Sequence, residues 1–132
     1  MAHFCELDRD NLILQTIVIN NDVIENLPYP ESEPIGIKFC QSVYGQSTIW
    51  LQTSINGSFR RCYGQPGYSY MPQYDIFIEP KPYPSWVFDP VTKNWVPPTP
   101  MPAGDGIYHW NDNYHAWVEF DPTKLVPNYE VT

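Results

Sequence analysis

The chain has 132 residues and a formal net charge of −8, from 7 Lys and Arg against 15 Asp and Glu. This length fits one domain, which buries roughly two-thirds of its unfolded surface without help from disulfides or metals. The acidic balance argues against nucleic acid and anionic membranes as partners, because both bind cationic faces. No apolar run reaches the roughly 20 residues that cross a bilayer, and residues 1–10 lack a signal-peptide pattern, so we expect a soluble chain.

Proline and aromatic residues are both abundant. The chain has 15 Pro, 5 Trp, 10 Tyr and 6 Phe, whereas charged residues make up only 17%. Pro-rich chains are often disordered, but disorder goes with few aromatic residues. The composition therefore predicts an ordered, extended chain that uses aromatic packing in place of long helices. Cys5, Cys40 and Cys62 are widely spaced, and their number is odd. This pattern favours free cysteines that pack as small buried hydrophobic residues in a reducing compartment, and one disulfide between two of them is the alternative.

The first elements predicted are two strands joined by a turn. Residues 4–7 and the β-branched run 12–19 flank turn formers at 8–11, a pattern that predicts a β-hairpin. The second strand carries apolar residues on both faces. We therefore expect it to be covered on both faces, by its own chain or by a partner.

One short helix follows an acidic, Pro-rich loop at residues 25–34. Pro34 suits a first helical position, and Gly45 suits the C-terminal stop. Between them, apolar residues recur at steps of three and four, namely Ile37, Cys40, Val43 and Tyr44. The spacing predicts about three helical turns.

A second hairpin is predicted around Asn56-Gly57, the strongest short hairpin signal. Residues 48–54 form its first strand in this interpretation, and residues 58–63 its returning strand.

From residue 68 onward the sequence becomes repetitive. Each of three units reads as an aromatic strand, a polar turn, an aromatic and β-branched strand, and a proline. Phe77, Trp95 and Trp117 hold the same place in the units, at intervals of 18 and 22 residues. The repeat predicts three short hairpins on extended linkers. Because an isolated hairpin is marginal in water, the three need a surface to lie on.

These patterns together predict a mainly β (α+β) fold within one domain. We expect a β-rich core with one short helix over residues 1–67, and an extended arm of three aromatic hairpins over residues 68–132.

The aromatic residues of the arm are the candidate binding residues. They can offer faces to a partner, but they can equally pack across the strands of each hairpin, and a ring with two faces can do both. The candidates for partner binding are Tyr83, Trp86, Trp95, Tyr108, Trp110 and Trp117.

No pattern of residues predicts catalysis. The three histidines lie in terminal or turn-like positions, no nucleophile motif surrounds a Ser or Cys, and no glycine run matches a phosphate-binding loop. His109 and His115 flank one turn but lack a third ligand at good spacing. We therefore expect a protein that is not an enzyme and has no cofactor and no metal site.

Several strings of the sequence resemble one family. FCQSVYG, WLQTSINGSFRRCYGQPGYSY and DIFIEPKPYPSW, with the opening AHFCELDRDNLILQTIVI, are similar to a small protein of marine tailed bacteriophages, cyanophages especially. The resemblance covers most of the chain. Met71-Pro72 departs from it, because relatives usually show an aspartate there. The resemblance implies a phage origin and a virion role, but it carries over no site residues.

Composition and resemblance converge on a structural protein of the virion, assembled in the host cytoplasm. The leading hypothesis is a capsid decoration (cement) protein that clamps neighbouring capsid subunits. Its expected partners are the major capsid protein or other virion proteins, and further copies of itself as a homo-oligomer or on a lattice. The alternatives are a neck, tail or fibre component of the virion, and a carbohydrate-binding adhesin for the host surface.

Overall fold

The structure is a computed structural model that describes residues 1–121 and residue 123. The described residues form one helix and nine short strands, so the predicted mainly β fold with a single helix is confirmed. The elements are β1 Ala2–Leu7, β2 Ile13–Ile19, α1 Ser32–Tyr44, β3 Ile49–Thr53, β4 Ser69–Met71, β5 Ile76–Ile78, β6 Val87–Asp89, β7 Asn94–Val96, β8 Tyr108–Asn111 and β9 Ala116–Glu119. None of the helices in this part of the chain is long and apolar enough to span a membrane.

The chain divides into two compact units, Met1–Pro80 and Lys81–Thr132. This division lies later than the expected start of the arm at residue 68, because the β4–β5 hairpin belongs to the first unit. Phe77 of that hairpin is fully buried in one cluster with Cys5 and Ile13.

The first unit is built on an antiparallel sheet of order β2-β1-β3. Side chains alternate between its faces, and β1 is central, so Phe4 and Cys5 are both fully buried although they point in opposite directions. One face packs with α1 through a cluster of Ala2, Phe4, Ile19, Ile24, Cys40 and Trp50. The other face packs with the segment that carries β5, through Cys5, Leu7, Ile13 and Phe77.

A register shift between β1 and β2 near the first turn changes which face of the sheet the first residues of β2 lie on. Glu6 pairs with Gln15, whereas Leu7 pairs with Ile13, so Leu14 is left over as a bulge. The shift places Ile13 in the same cluster as Leu7.

Strand β2 is only partly covered by the described residues. Ile13 and Ile19 are buried, but Leu14 is 51% exposed and Val18 is 49% exposed. The expectation that its own chain covers both faces is therefore wrong for these residues. Coverage by a partner stays a prediction.

The helix begins two residues before Pro34, at Ser32, and ends before Gly45 as predicted. Pro34 still lies in the first turn, where its missing N–H leaves no hydrogen bond unmade. The buried residues of α1 are Ser32, Gly36 and Cys40, whereas the predicted Val43 is 59% exposed. These small residues bring the helix close to the sheet: a Cβ on Gly36 would lie 2.0 Å from Cζ of Phe4.

The predicted hairpin around Asn56-Gly57 is wrong, although its turn is present. The N–H of Gly57 donates to the carbonyl of Ser54 at 3.0 Å, but residues 58–63 form no strand, and β3 pairs with β1 instead. Arg60 and Arg61 take left-handed conformations with φ of 56° and 72°. These turn the chain and let Arg60 form ion pairs with Glu33 and Asp75.

The three aromatic hairpins are confirmed as β4–β5, β6–β7 and β8–β9. Each places one aromatic pair directly across its strands, with ring centroids at 5.7 Å for Tyr70–Phe77, 5.9 Å for Phe88–Trp95 and 5.3 Å for Trp110–Trp117. Each also has a residue of positive φ just before its second strand, namely Asp75, Lys93 and His115. The sequence repeat is therefore a structural repeat.

Candidate functional site

Four of the six predicted aromatic residues come together in the second unit. We call Tyr83, Trp86, Trp110 and Trp117 the tryptophan cluster. Its ring centroids lie 5.6 Å apart for Tyr83–Trp86, 6.2 Å for Trp86–Trp110, 6.4 Å for Trp86–Trp117 and 5.3 Å for Trp110–Trp117. The tilted and edge-to-face angles are those that aromatic quadrupoles favour.

The β8–β9 hairpin positions two members of the cluster. Trp110 and Trp117 are register partners, so their side chains share one face of the hairpin. The turn between them is held by Oδ1 of Asn111, which accepts the N–H of Tyr114 at 3.1 Å. His115 closes the turn with a φ of 50°.

Asp112 joins this hairpin to the segment that carries Trp86. Its Oδ1 accepts hydrogen bonds from the hydroxyl and N–H of Ser85 and from Nε1 of Trp110. The hydrogen bond from the Ser85 side chain, followed by that from Trp110, holds the pKa of the Asp112 carboxyl below its ordinary value. No local pattern in the sequence indicates this role of Asp112, because its partner Ser85 lies 27 residues away.

Exposure differs among the cluster members. Trp110 is buried at 6% exposure, Tyr83 is 38% exposed, and Trp86 and Trp117 are half-buried. Nε1 of Trp117 donates to the carbonyl of Thr99 at 2.8 Å. Nε1 of Trp86 is buried and has no hydrogen-bond partner among the described residues. Trp110 therefore serves the interior of the unit, while the other three retain exposed ring surface.

Trp95 and Tyr108 have other surroundings. The ring of Trp95 lies edge-on to Phe88, and the ammonium of Lys81 lies 5.4 Å from the centroid of Trp95, a cation–π distance. The ring of Tyr108 packs over Gly106, where an added Cβ would lie 2.8 Å from the ring. Gly106 thus allows the chain to pass close to this ring.

A shallow groove of about 540 Å³ runs beside Trp117. Trp117 is the one residue of this groove among the candidates for partner binding, and the prolines belong to the predicted extended linkers. The groove is lined by Asp89, Val96, Pro97, Pro98, Pro100, Met101 and Trp117. Its walls are therefore mostly apolar, and they include one carboxylate, that of Asp89.

The first unit holds the cysteines and the histidine with shifted pKa values. Burial raises the pKa of the Cys5 and Cys40 thiols to about 11, and it raises the pKa of Cys62 as well. Burial lowers the pKa of His3, whose Nδ1 lies 3.1 Å from the hydroxyl of Tyr63. These shifts favour the neutral forms, so the groups pack as uncharged side chains.

No group of three or more His, Cys, Asp and Glu within residues 1–121 and 123 is arranged to hold a metal ion. Compared with known proteins, the chain matches no protein-family model, no curated protein and no solved structure.

Proposed function

We propose that this chain is a non-enzymatic structural protein of a bacteriophage virion, and that it acts as a capsid decoration protein clamping neighbouring capsid subunits. The observation that carries the proposal is the contrast among the repeated hairpins. The first buries its central Phe77 in the first unit, whereas the equivalent Trp95 and Trp117 are only half-buried. Large exposed apolar side chains are also denser in the second unit, with eight in residues 81–120 against ten in residues 1–80. The eight, each with more than a third of its surface exposed, are Tyr83, Val87, Val91, Met101, Ile107, Tyr114, Val118 and Phe120.

This exposure favours a protein partner. Scattered exposed apolar residues are common, but eight within residues 81–120 are a high density for so small a unit. Aromatic anchors surrounded by apolar neighbours are typical of the centres of protein interfaces. The net charge of −8 favours a neutral or basic protein surface over nucleic acid.

The titratable groups support a structural role over catalysis. A catalytic cysteine needs a lowered pKa, but the pKa values of all three thiols are raised. The buried side chain of Arg60, at 7% exposure, is already engaged with Glu33 and Asp75. Both kinds of group therefore stabilise the first unit.

The experiment is an attachment assay with particles that lack this chain. Purified particles are mixed with the full chain or a variant, sedimented and analysed for bound protein. We expect Trp95→Ala and Trp117→Ala to bind roughly 30-fold more weakly, as for truncated interface anchors. The matched control is Phe39→Ala on α1, which is 36% exposed and lies outside the second unit. Normal binding by both tryptophan variants would contradict the proposal.

The groove beside Trp117 favours a second candidate, a carbohydrate-binding adhesin. An aromatic face next to a carboxylate suits a sugar ring, which stacks by its apolar face and donates hydroxyl hydrogen bonds. The volume of about 540 Å³ falls within the range of small-molecule sites. Titration with polysaccharide from the host envelope should then shift the tryptophan emission, and Asp89→Asn should reduce the shift. An unchanged emission would contradict the adhesin.

A further inference from the structure

The outer edge of β3 is closed by side chains. The N–H of Gln52 donates to Oε2 of Glu33 at 2.8 Å, and the carbonyl of Gln52 accepts from Nη1 of Arg60 at 2.9 Å. Both outward backbone groups at the middle of this edge are thus satisfied within the chain. An exposed strand edge invites pairing with another strand, and this one is protected.

The first part of the β2 edge is closed as well. The N–H of Ile13 donates to the carbonyl of Tyr68 at 2.8 Å, and the carbonyl of Ile13 accepts from the N–H of Gly67 at 3.1 Å. Leu12 also forms a bridge with Ser69. The segment at residues 67–69 therefore acts as a short extra strand, and it covers only this end of β2.

The remainder of the β2 edge is open. Because the N–H of Gln52 points away from β1, its partner Phe4 directs its own backbone groups towards β2 and Ile17. Backbone direction alternates along a strand, so Thr16 and Val18, on either side of Ile17, turn their N–H and C=O groups outward. Within residues 1–121 and 123 these backbone groups have no hydrogen-bond partner.

This open edge lacks the usual protection. Native edges carry charges, prolines or bulges that prevent pairing, but residues 15–19 contain no charged residue and no proline, and the bulge at Leu14 lies before them. Val18 is 49% exposed beside the open groups. The middle of the β3 edge is closed by Glu33 and Arg60, whereas this uncharged, β-branched stretch of β2 is open, so it is a site for another strand.

We propose that β2 pairs antiparallel with β2 of a second copy of this chain. A two-fold axis at Ile17 sets Thr16 opposite Val18 of the copy, and Val18 opposite its Thr16. All outward N–H and C=O groups of these residues then form hydrogen bonds, four in total. Gln15 faces Ile19 of the copy, so no charge meets a like charge, although each chain carries −8. The three-stranded sheets of the two copies then form one continuous six-stranded sheet. This proposal does not depend on the position of the protein in a virion.

The first test is sedimentation of the full chain over a concentration series. We expect a monomer–dimer equilibrium, with a dimer of twice the 15.4 kDa chain mass. Val18→Lys should abolish the dimer, because an edge lysine keeps its charge in water and opposes pairing. The matched control is Val43→Lys, at a valine of similar exposure on α1, which should dimerise as the unmodified chain does. A monomer at every concentration, or an undiminished Val18→Lys dimer, would overturn the proposal.

A second test fixes the register. Two residues facing each other without mutual hydrogen bonds have Cα atoms about 4.5 Å apart, close enough for a disulfide. Ile17→Cys should therefore give a covalent dimer when oxidised with diamide, as seen on a non-reducing gel. Val43→Cys and the unmodified chain should give none, because Cys5 and Cys40 are buried and the half-buried Cys62 thiol donates a hydrogen bond to the carbonyl of Phe77. Failure of Ile17→Cys to cross-link while the chain sediments as a dimer would refute this interface.

Discussion

Phe77 and Trp117 hold the same position in two copies of one hairpin, so truncating each to alanine tests whether the copies serve different purposes. Phe77 is fully buried between its own strand partner Tyr70 and the cluster around Ile13. Trp117 is half-buried, and its ring contacts, to Trp86 and Trp110, lie within the second unit. The two substitutions should therefore act on different units.

The expected magnitudes follow from burial. Removing a buried Phe side chain costs about 3–5 kcal/mol, so Phe77→Ala should lower the folding equilibrium constant of the first unit roughly a hundredfold to a few thousandfold. That is a large part of the 5–15 kcal/mol typical of a domain. Trp117→Ala should cost the second unit about 2 kcal/mol, because less of its ring is buried.

Hydrogen exchange by mass spectrometry measures the two units separately. Phe77→Ala should reduce protection of amides in β1, and Trp117→Ala should reduce protection in β8. Phe77→Leu is the control, since it keeps most of the volume and should cost less than about 1.5 kcal/mol. Unchanged protection of β1 in Phe77→Ala would refute the burial argument. Equal loss in β1 for both alanine variants would refute the separation into two units.

Two further predictions concern charged groups, one in each unit. Arg60→Ala should destabilise the first unit by about 3–5 kcal/mol, because it leaves the carboxylate of Glu33 partly buried without its cation, and urea unfolding measures the loss. If the two groups are directly coupled, the double variant Arg60→Ala/Glu33→Gln should cost clearly less than the sum of the two single changes, whereas strict additivity would contradict the coupling. In the second unit, hydrogen bonds from Ser85 and Trp110 lower the pKa of the Asp112 carboxyl in the folded protein from its ordinary value of 3.8. The ionised carboxylate therefore stabilises the folded unit above pH 3.8, and this stabilisation is lost as the pH falls through the lowered pKa. Acid titration of the tryptophan emission, to which the second unit contributes four of the five tryptophans, should show a weaker acid dependence in Asp112→Asn; an unchanged profile would contradict this role.

Local patterns predicted the elements that depend on local contacts. The aromatic repeat predicted three hairpins because each cross-strand pair, such as Phe88 with Trp95, lies only seven residues apart. Gly45 predicted the end of α1 because its φ of 124° is a conformation that glycine adopts readily. In these cases the sequence neighbours are also the spatial neighbours.

Long-range contacts account for the errors. The turn at Gly57 is present, but β3 pairs with β1, which lies some 45 residues away in the sequence. The segment that follows the turn forms no strand, and its Arg60 forms ion pairs with Glu33 and Asp75. The tryptophan cluster was predicted only as a set of candidates. Its organisation depends on Asp112, whose hydrogen bond to Ser85 spans 27 residues and leaves no local signal.

The copy number of this chain in purified virions, relative to the major capsid protein, is the measurement that decides whether it decorates a capsid. Quantitative mass spectrometry with labelled standards gives this ratio. For a capsid decoration protein we expect a ratio near one, or a fixed large fraction of it. A small multiple of three or six copies per particle would contradict decoration and favour a neck, tail or fibre position, and complete absence from particles would contradict every virion role.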